Sequence, residues 1–529
     1  MRSVPPVLLA LDLGTATSAA SLVGRVDGRH RLLAATALPA GDPLEPALDD
    51  LVASVRAADP DLADALDLPP GAGTEADPAI PWLVARSAPA PRLAVLAGSG
   101  RGLDGMLAAA RSAGWRAEGV VPHGAADELA AVRLLLDPAL AAILVGAADP
   151  PAADERRALG ELIRLVAAIA ERRPEVAILL AGGAARQGER FAAAAALPAV
   201  ALDGSIDALR LALVDRRPLP LDARAAAARA TASLADVLDR RIETLEVGFD
   251  GGLRAVAAPT GDGIGRSEVA LVPAAALVPP EPDDDVVDAI GRWSTEPRER
   301  NRLRDRLLDL RLSPWGDVAG DGARLRIAAA RAALERLLAA TPGLDGEPPD
   351  LVVAAGGAWA VAPGPAVMLA LVDVVRRAGV SQYAVDAAHL LGPIGMIEDE
   401  GERRALLADL ADDLLVPLGS AIVPGGMHRS RHPGRLAVAV AGSRVELELA
   451  AGGLQVVDLP PGELARASLS FRDGVHLGGR GRAFEVEVTG GLGGLLVDLR
   501  DVPLVLPERS ERRRALLASW EGALWVGSE

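Results

Sequence analysis

The chain has no cysteine and no lysine. Without cysteine there is no disulfide, no thiol nucleophile and no cysteine-ligated zinc or iron–sulfur centre. Without lysine there is no Walker A phosphate lysine, no Schiff base and no pyridoxal-phosphate anchor. All 55 basic side chains are therefore arginine. Aromatic residues make up 2% of the chain against 50% hydrophobic residues. The core must be built from Leu, Val, Ala and Ile, which suits helices packed on buried strands better than an aromatic-rich β-sandwich. Positive charge is outnumbered, with 55 basic against 72 acidic residues and a net charge of −17. That surface lacks the basic footprint nonspecific nucleic-acid binding needs. Long apolar runs are missing as well. The first one is broken by Asp12, and none reaches the roughly 18 residues of a membrane span. Neither a signal peptide nor a span is expected. The expectation is a soluble cytoplasmic protein with no nucleic-acid and no membrane partner. A length of 529 residues exceeds one core and predicts two or more domains.

What is present begins with Val7-Leu8-Leu9-Ala10-Leu11-Asp12-Leu13-Gly14-Thr15-Ala16-Thr17-Ser18, followed by a second apolar run to Val23. The pattern predicts a buried strand, a tight turn and a second strand. Gly14 lets the backbone approach a ligand closely. The hydroxyls of Thr15 and Thr17 and the N–H groups of the turn could hold a phosphate. Asp12, at the strand end, could hold Mg²⁺ through water, as suits a hard cation that sheds its hydration reluctantly.

Further along, residues 42–58 predict a helix with Leu44, Leu48, Leu51, Val52 and Val55 on one face. Residues 59–91, rich in Pro, Gly, Ala and acids, read as a loop or linker that Trp82 pins to the body. From residue 93 to Gly183, short apolar strands alternate with amphipathic helices, which indicates a parallel α/β layer. A second strand–turn–strand follows a helical stretch, Glu246-Val247-Gly248-Phe249-Asp250-Gly251-Gly252-Leu253. A third apolar strand ends in Gly356-Gly357. Asp283-Asp284-Asp285 and the arginines between Arg298 and Arg306 read as solvated charge rather than ion sites. From about Pro433, six short β-branched or alternating runs with Gly-rich turns predict a small β domain, and residues 509–520 predict a terminal helix. His428-x-x-x-His432 has the spacing of a metal pair, but Gly425-Gly426 and Pro433 flank it, and a loop without metal is expected.

The order Asp12-x-Gly14-Thr15, then Glu246-x-Gly248 with Asp250-Gly251-Gly252, then Gly356-Gly357 resembles the first phosphate, second phosphate and adenosine motifs of the actin/Hsp70/sugar-kinase superfamily. Adding Leu390-Leu391-Gly392-Pro393, Leu459-Pro460-Pro461-Gly462-Glu463 and residues 473–481, the chain is similar to the glutamate mutase L (GlmL/MutL-type) family. The resemblance implies an α/β fold of duplicated, ribonuclease H-like ATPase lobes with a C-terminal β-rich domain. The lobes would span 1–240 and 241–432, the β domain 433–508 and a helical tail 509–529. It also implies ATP or ADP with Mg²⁺ as ligands, Gly356 and Gly357 admitting the adenosine, and cobalamin-dependent mutase subunits as protein partners. The implied role is chaperoning or reactivation of an adenosylcobalamin-dependent mutase of the glutamate mutase type.

Departures from the family bear on catalysis. Ser18 stands where the family usually carries Lys. The second loop, commonly D-x-G-G-A-T-T-D, here keeps an acid and glycines and loses both Thr and the final Asp. Gly146-Ala147-Ala148-Asp149-Pro150-Pro151 replaces a common G-G-T-D-G-G. Phosphoryl transfer depends on positioning and charge stabilisation, so nucleotide binding is better supported than hydrolysis, with at most a weak ATPase. The alternatives are a scaffold that kept the fold without nucleotide, and a small-molecule kinase for which Asp250 and Asp262 are the available carboxylates.

Overall fold

The computed structural model describes residues 4–522 except 88–90, 99, 114, 122–124, 192–193, 198–205, 217–221, 260–265, 298, 317, 342–347, 361, 427–432, 441–442, 451 and 501. Within it the first apolar run forms β1 (Val7–Leu13), and after the turn comes β2 (Thr17–Val26). They pair antiparallel with Asp12 opposite Ala19. β3 (Arg29–Pro39) continues the meander on β2. The helix Leu44–Ala58 buries Leu48, Leu51, Val52 and Val55 against Leu9, Leu11 and Leu22, each such side chain contributing about 2 kcal/mol.

The stretch expected as a linker, 59–91, is more structured than its composition suggests. It holds a short helix, Pro60–Ala65, capped by the Asp59 side chain, and β4 (Trp82–Arg86), which pairs parallel with β1 so that Asp12 faces Ala85. Five residues amid prolines and glycines show no period of their own. Their extended form is imposed by the free edge of β1, a tertiary effect that local pattern does not encode. Trp82 packs against the same core.

Residues 89–221, with 270–274, form a separate compact unit. Its strands β5 (Arg92–Ala97), β6 (Arg116–Val120), β7 (Leu140–Ala147), β8 (Ala177–Gly182) and β9 (Ala194–Leu197) are parallel throughout, in the order β6-β5-β7-β8-β9. One face is covered by Leu159, Ile163 and Val166 of the helix Ala153–Arg172, the other by Met106, Ala110, Leu209 and Leu213. Both faces are apolar, so the strands read as continuous apolar runs.

Next along the chain come β10 (Ile242–Val247), β11 (Gly252–Ala258), β12 (Arg266–Val272), β13 (Leu351–Ala355), β14 (Gly379–Val385) and β15 (Val416–Val423). β16 (Gly434–Val440), β17 (Ser443–Leu449), β18 (Leu454–Val457), β19 (Leu464–His476), β20 (Arg480–Thr489) and β21 (Leu495–Asp498) complete the strands. An eight-stranded sheet runs β12-β11-β10-β13-β14-β15-β21-β18. Its first four positions repeat the order β3-β2-β1-β4. In each case the leading strand pairs antiparallel with its hairpin partner and parallel with the strand reached later. The register repeats too: Glu246 faces Ala355 as Asp12 faces Ala85.

Of the six strands after 433, four build a sheet of their own, β17-β16-β19-β20, and two join the larger one. β21 is buried at every residue, so it needs cover on both faces. The acidic triplet and the arginine run meet each other. Asp283 caps the helix Asp284–Trp293, while Asp284 and Asp288 take Arg300 and Arg304 of the helix Arg300–Leu312. Among the described residues no helix is long and apolar enough to cross a membrane.

Candidate functional site

Two strand ends carry an acid, then a residue, then a glycine. In both, the glycine N–H closes the turn onto the carbonyl three residues on: Gly14 to Thr17 at 2.9 Å and Gly248 to Gly251 at 2.9 Å. The N–H of Gly14 is thereby used within the turn, where the sequence offered it to a phosphate. The third strand end delivers Gly356 at φ +92°, backbone that favours glycine. A Cβ there would lie 2.6 Å from the Val247 carbonyl oxygen, and one at Gly357 would lie 2.8 Å from Thr17 Oγ1. The missing side chains let the three turns approach one another.

They line one shared cavity that opens to solvent at its mouth. Asp12, Gly14, Thr15 and Thr17 line it from the first turn, Glu246 and Gly248 from the second, and Gly356 and Gly357 from the third. Asp250, Gly251 and Gly252 are not on its wall. Asp250 instead accepts from Arg311 Nη2 at 3.2 Å, and Gly252 opens β11 against the Glu246 carbonyl. Asp262, in the 260–265 loop, and the pair His428 and His432 lie outside the described residues.

The cavity also gathers residues that sequence reasoning passed over: Ser87, Arg224, Trp315, Arg326 and His389. Ser87 follows β4 and is fixed by its N–H to the Leu13 carbonyl. Arg224 comes from the first turn of the helix Ala223–Leu238 and donates through Nε to Glu246 at 2.9 Å. Trp315 Nε1 donates to the Ala16 carbonyl at 2.8 Å, which ties a distant loop to the first turn. His389, at φ +52°, sets Nδ1 3.3 Å from Asp12 Oδ2. The only signals for these in the sequence were an arginine just after a helix-capping Asp, and a histidine directly before the quoted Leu390-Leu391-Gly392-Pro393.

Charges in the cavity are strongly coupled. Burial pushes the Glu246 carboxyl above its ordinary value, and Asp12 and Asp222 add to that, while Arg224 opposes it. Asp386 is likewise raised by burial; it accepts the N–H groups of Leu390 and Leu391 at 2.9 and 3.0 Å. For His389 burial disfavours the charged ring, but its hydrogen bond and attraction to Asp12, with Asp386 and Glu246 behind, raise its pKa on balance.

No group of three or more His, Cys, Asp or Glu suited to a metal occurs among the described residues. One atom does fit a cation. Asp12 Oδ1 is buried with no hydrogen-bond partner, an acceptor that a water of a hydrated Mg²⁺ would satisfy. A single carboxylate plus ligand phosphates is a usual Mg²⁺ donor set.

No family model matches the chain, and no curated protein does. The resemblance to the glutamate mutase L family therefore rests on the quoted motifs. Similar solved structures include the Aquifex aeolicus PPX-GPPA enzyme at 10% identity, covering 76% of this chain and 89% of that one with a TM-score of 0.20. A type II variant of the Aquifex aeolicus Ppx/GppA phosphatase matches at 10% identity, 76% and 88% coverage and a TM-score of 0.22. The PilM–PilN type IV pilus biogenesis complex matches at 13% identity, 76% and 97% coverage and a TM-score of 0.20. Superpositions this loose carry no argument for fold or activity.

Proposed function

We propose that the protein is an actin-like, two-lobed nucleotide-binding accessory protein that takes ATP or ADP with Mg²⁺ in the cavity at Asp12. The observation that carries this reading is the convergence of three strand–turn sites, far apart in sequence, on one cavity. The twofold recurrence of hairpin plus parallel strand supports treating the two sheets as duplicated lobes, with the sheet β17-β16-β19-β20 as the core of a C-terminal β domain.

In this reading Thr15 and Thr17 hydroxyls donate to phosphate oxygens. Arg224 supplies the fixed positive charge that lysine brings elsewhere, and its guanidinium suits a phosphate. Asp12 holds Mg²⁺ through water, and the ion offsets phosphate charge. Glu246 and Gly248 close the opposite side. Gly251, Gly252 and Asp250 shape the second turn from behind, and Gly356 and Gly357 hold the turns together. Hydrolysis is weak at most, because the second turn has neither Thr nor a terminal Asp and its Asp250 is engaged by Arg311. That same engagement favours a catalytically silent scaffold as the second reading. It disfavours a small-molecule kinase, whose acceptor needs a carboxylate beside it. The partner is inferred from the sequence resemblance: subunits of an adenosylcobalamin-dependent mutase, chaperoned or reactivated in step with nucleotide.

Calorimetric titration of the native protein and Asp12→Asn with Mg-ATP tests the site. Native binding weakened about tenfold or more in the variant is expected for loss of a metal-holding carboxylate, and the two proteins should converge when Mg²⁺ is removed. Unchanged affinity in Asp12→Asn would overturn the assignment.

A further inference from the structure

The three turns account for the charged end of a nucleotide and leave its ring without a place. The side-chain space of Gly356 and Gly357 is taken by Val247 and Thr17, so these glycines join turns and offer no slot for a base between them. Aromatic side chains are scarce, with 7 Trp, 1 Tyr and 4 Phe in the chain. Most of the described ones are buried in cores, Trp115, Trp359, Tyr383 and Phe471 among them. Phe249 and Trp315 are only half-buried, and both line the one cavity that holds Asp12. The Trp315 ring is held in place by its N–H bond to Ala16, inside the very turn that would receive phosphate. Leu277, Pro314 and Val318 add apolar wall beside it. Phe249 already carries the Arg311 guanidinium 5.6 Å from its ring centroid, which leaves Trp315 as the less committed face.

We propose that Trp315 is the base-stacking residue of this site. The nucleobase lies on its indole face, with Phe249 as a secondary contact, while the phosphates run toward Thr15, Thr17 and Arg224. An indole face suits any planar base, and its orientation is fixed before the ligand arrives, so little ordering is needed on binding. The inference rests on the nucleotide reading above. It makes the ligand a nucleotide rather than a bare chain of phosphates.

The test compares Mg-ATP with Mg-tripolyphosphate on full-length native protein, Trp315→Leu and Trp315→Phe by calorimetry. The native protein should bind ATP about tenfold more tightly than tripolyphosphate, the scale of one base–aromatic stack. Trp315→Leu should lose that preference, its affinity for ATP falling to its affinity for tripolyphosphate. Trp315→Phe, which keeps a ring and loses the N–H, should retain most of it. Equal native affinity for the two ligands, or full ATP preference in Trp315→Leu, would overturn the proposal. So would equal weakening of both ligands in Trp315→Leu, because Trp315 would then act only by holding Ala16. Failure of the native protein to bind either ligand would sink the nucleotide reading itself, and this one with it.

Discussion

Asp12 and Glu246 end equivalent strands in equivalent register, yet they meet different partners. One oxygen of Asp12 faces His389 and the other has no partner among the described residues. Glu246 is tied to a guanidinium, so the second acid is already neutralised and only the first is open to a cation. A contrasting carboxylate, Asp498, shows what full neutralisation does. Burial opposes its charge, but hydrogen bonds from Arg500 and Arg376 prevail and hold its pKa down to about 2. Arg500 donates at 2.9 and 2.6 Å, and Arg376 Nη2 at 2.9 Å. A depressed folded pKa adds stability that is present above the unfolded value near 4 and is lost as pH falls through about 2. The size is about 2 kcal/mol. Asp498→Asn should destabilise the protein at neutral pH, and the gap to native should narrow by about that amount between about pH 6 and pH 2. Urea midpoints at the two pH values check it, and a gap that does not change with pH would contradict it.

Among elements, the short helix Leu391–Gly395 controls the site most directly, because it begins two residues after His389. It packs across the helix Ala223–Leu238, and a Cβ at Gly395 would collide with the Ala226 backbone carbonyl. Backbone on both sides cannot give way as a side-chain end can. Gly395→Val should therefore cost about 2 to 3 kcal/mol by overpacking, and it should also weaken ATP binding by displacing His389 from Asp12. Gly160→Ala serves as the comparison. It sits inside the helix Ala153–Arg172 with open space around it, and should be neutral or stabilising by up to about 1 kcal/mol. Denaturant midpoints and ATP titration of both variants decide this. The helix Leu44–Ala58 was legible from its apolar face, because a 3.6-residue period over four turns is a strong local signal. β4 and the contact at Gly395 were not, since each is set by a distant backbone.

At the scale of the whole molecule, the alternation of strands and helices made the parallel sheet of residues 89–221 legible, and the two acid–x–glycine turns made the recurrent hairpins legible. The cavity was legible in part. Its acids, hydroxyls and glycines stood in recognisable turns, whereas Arg224 and His389 were marked only by a neighbouring helix cap and a neighbouring motif, and Trp315 arrives from a segment whose local pattern carries no sign of it. Every residue on the cavity wall belongs to the unit made of 1–88, 222–269 and 275–529, and none to the other. The sheet β6-β5-β7-β8-β9 has its own apolar cover on both faces, the condition for a segment to fold alone. The chain leaves the first unit just after Ser87 and re-enters it just before Arg224, and both residues line the same cavity. Their closeness means a short Gly/Ser bridge can replace the intervening segment. Residues 89–221 expressed alone should unfold cooperatively in urea, and the bridged remainder should keep Mg-ATP binding that Asp12→Asn weakens about tenfold or more. Loss of binding in a bridged protein that still unfolds cooperatively would show that the inserted segment shapes the cavity, against the independence its separate cores imply.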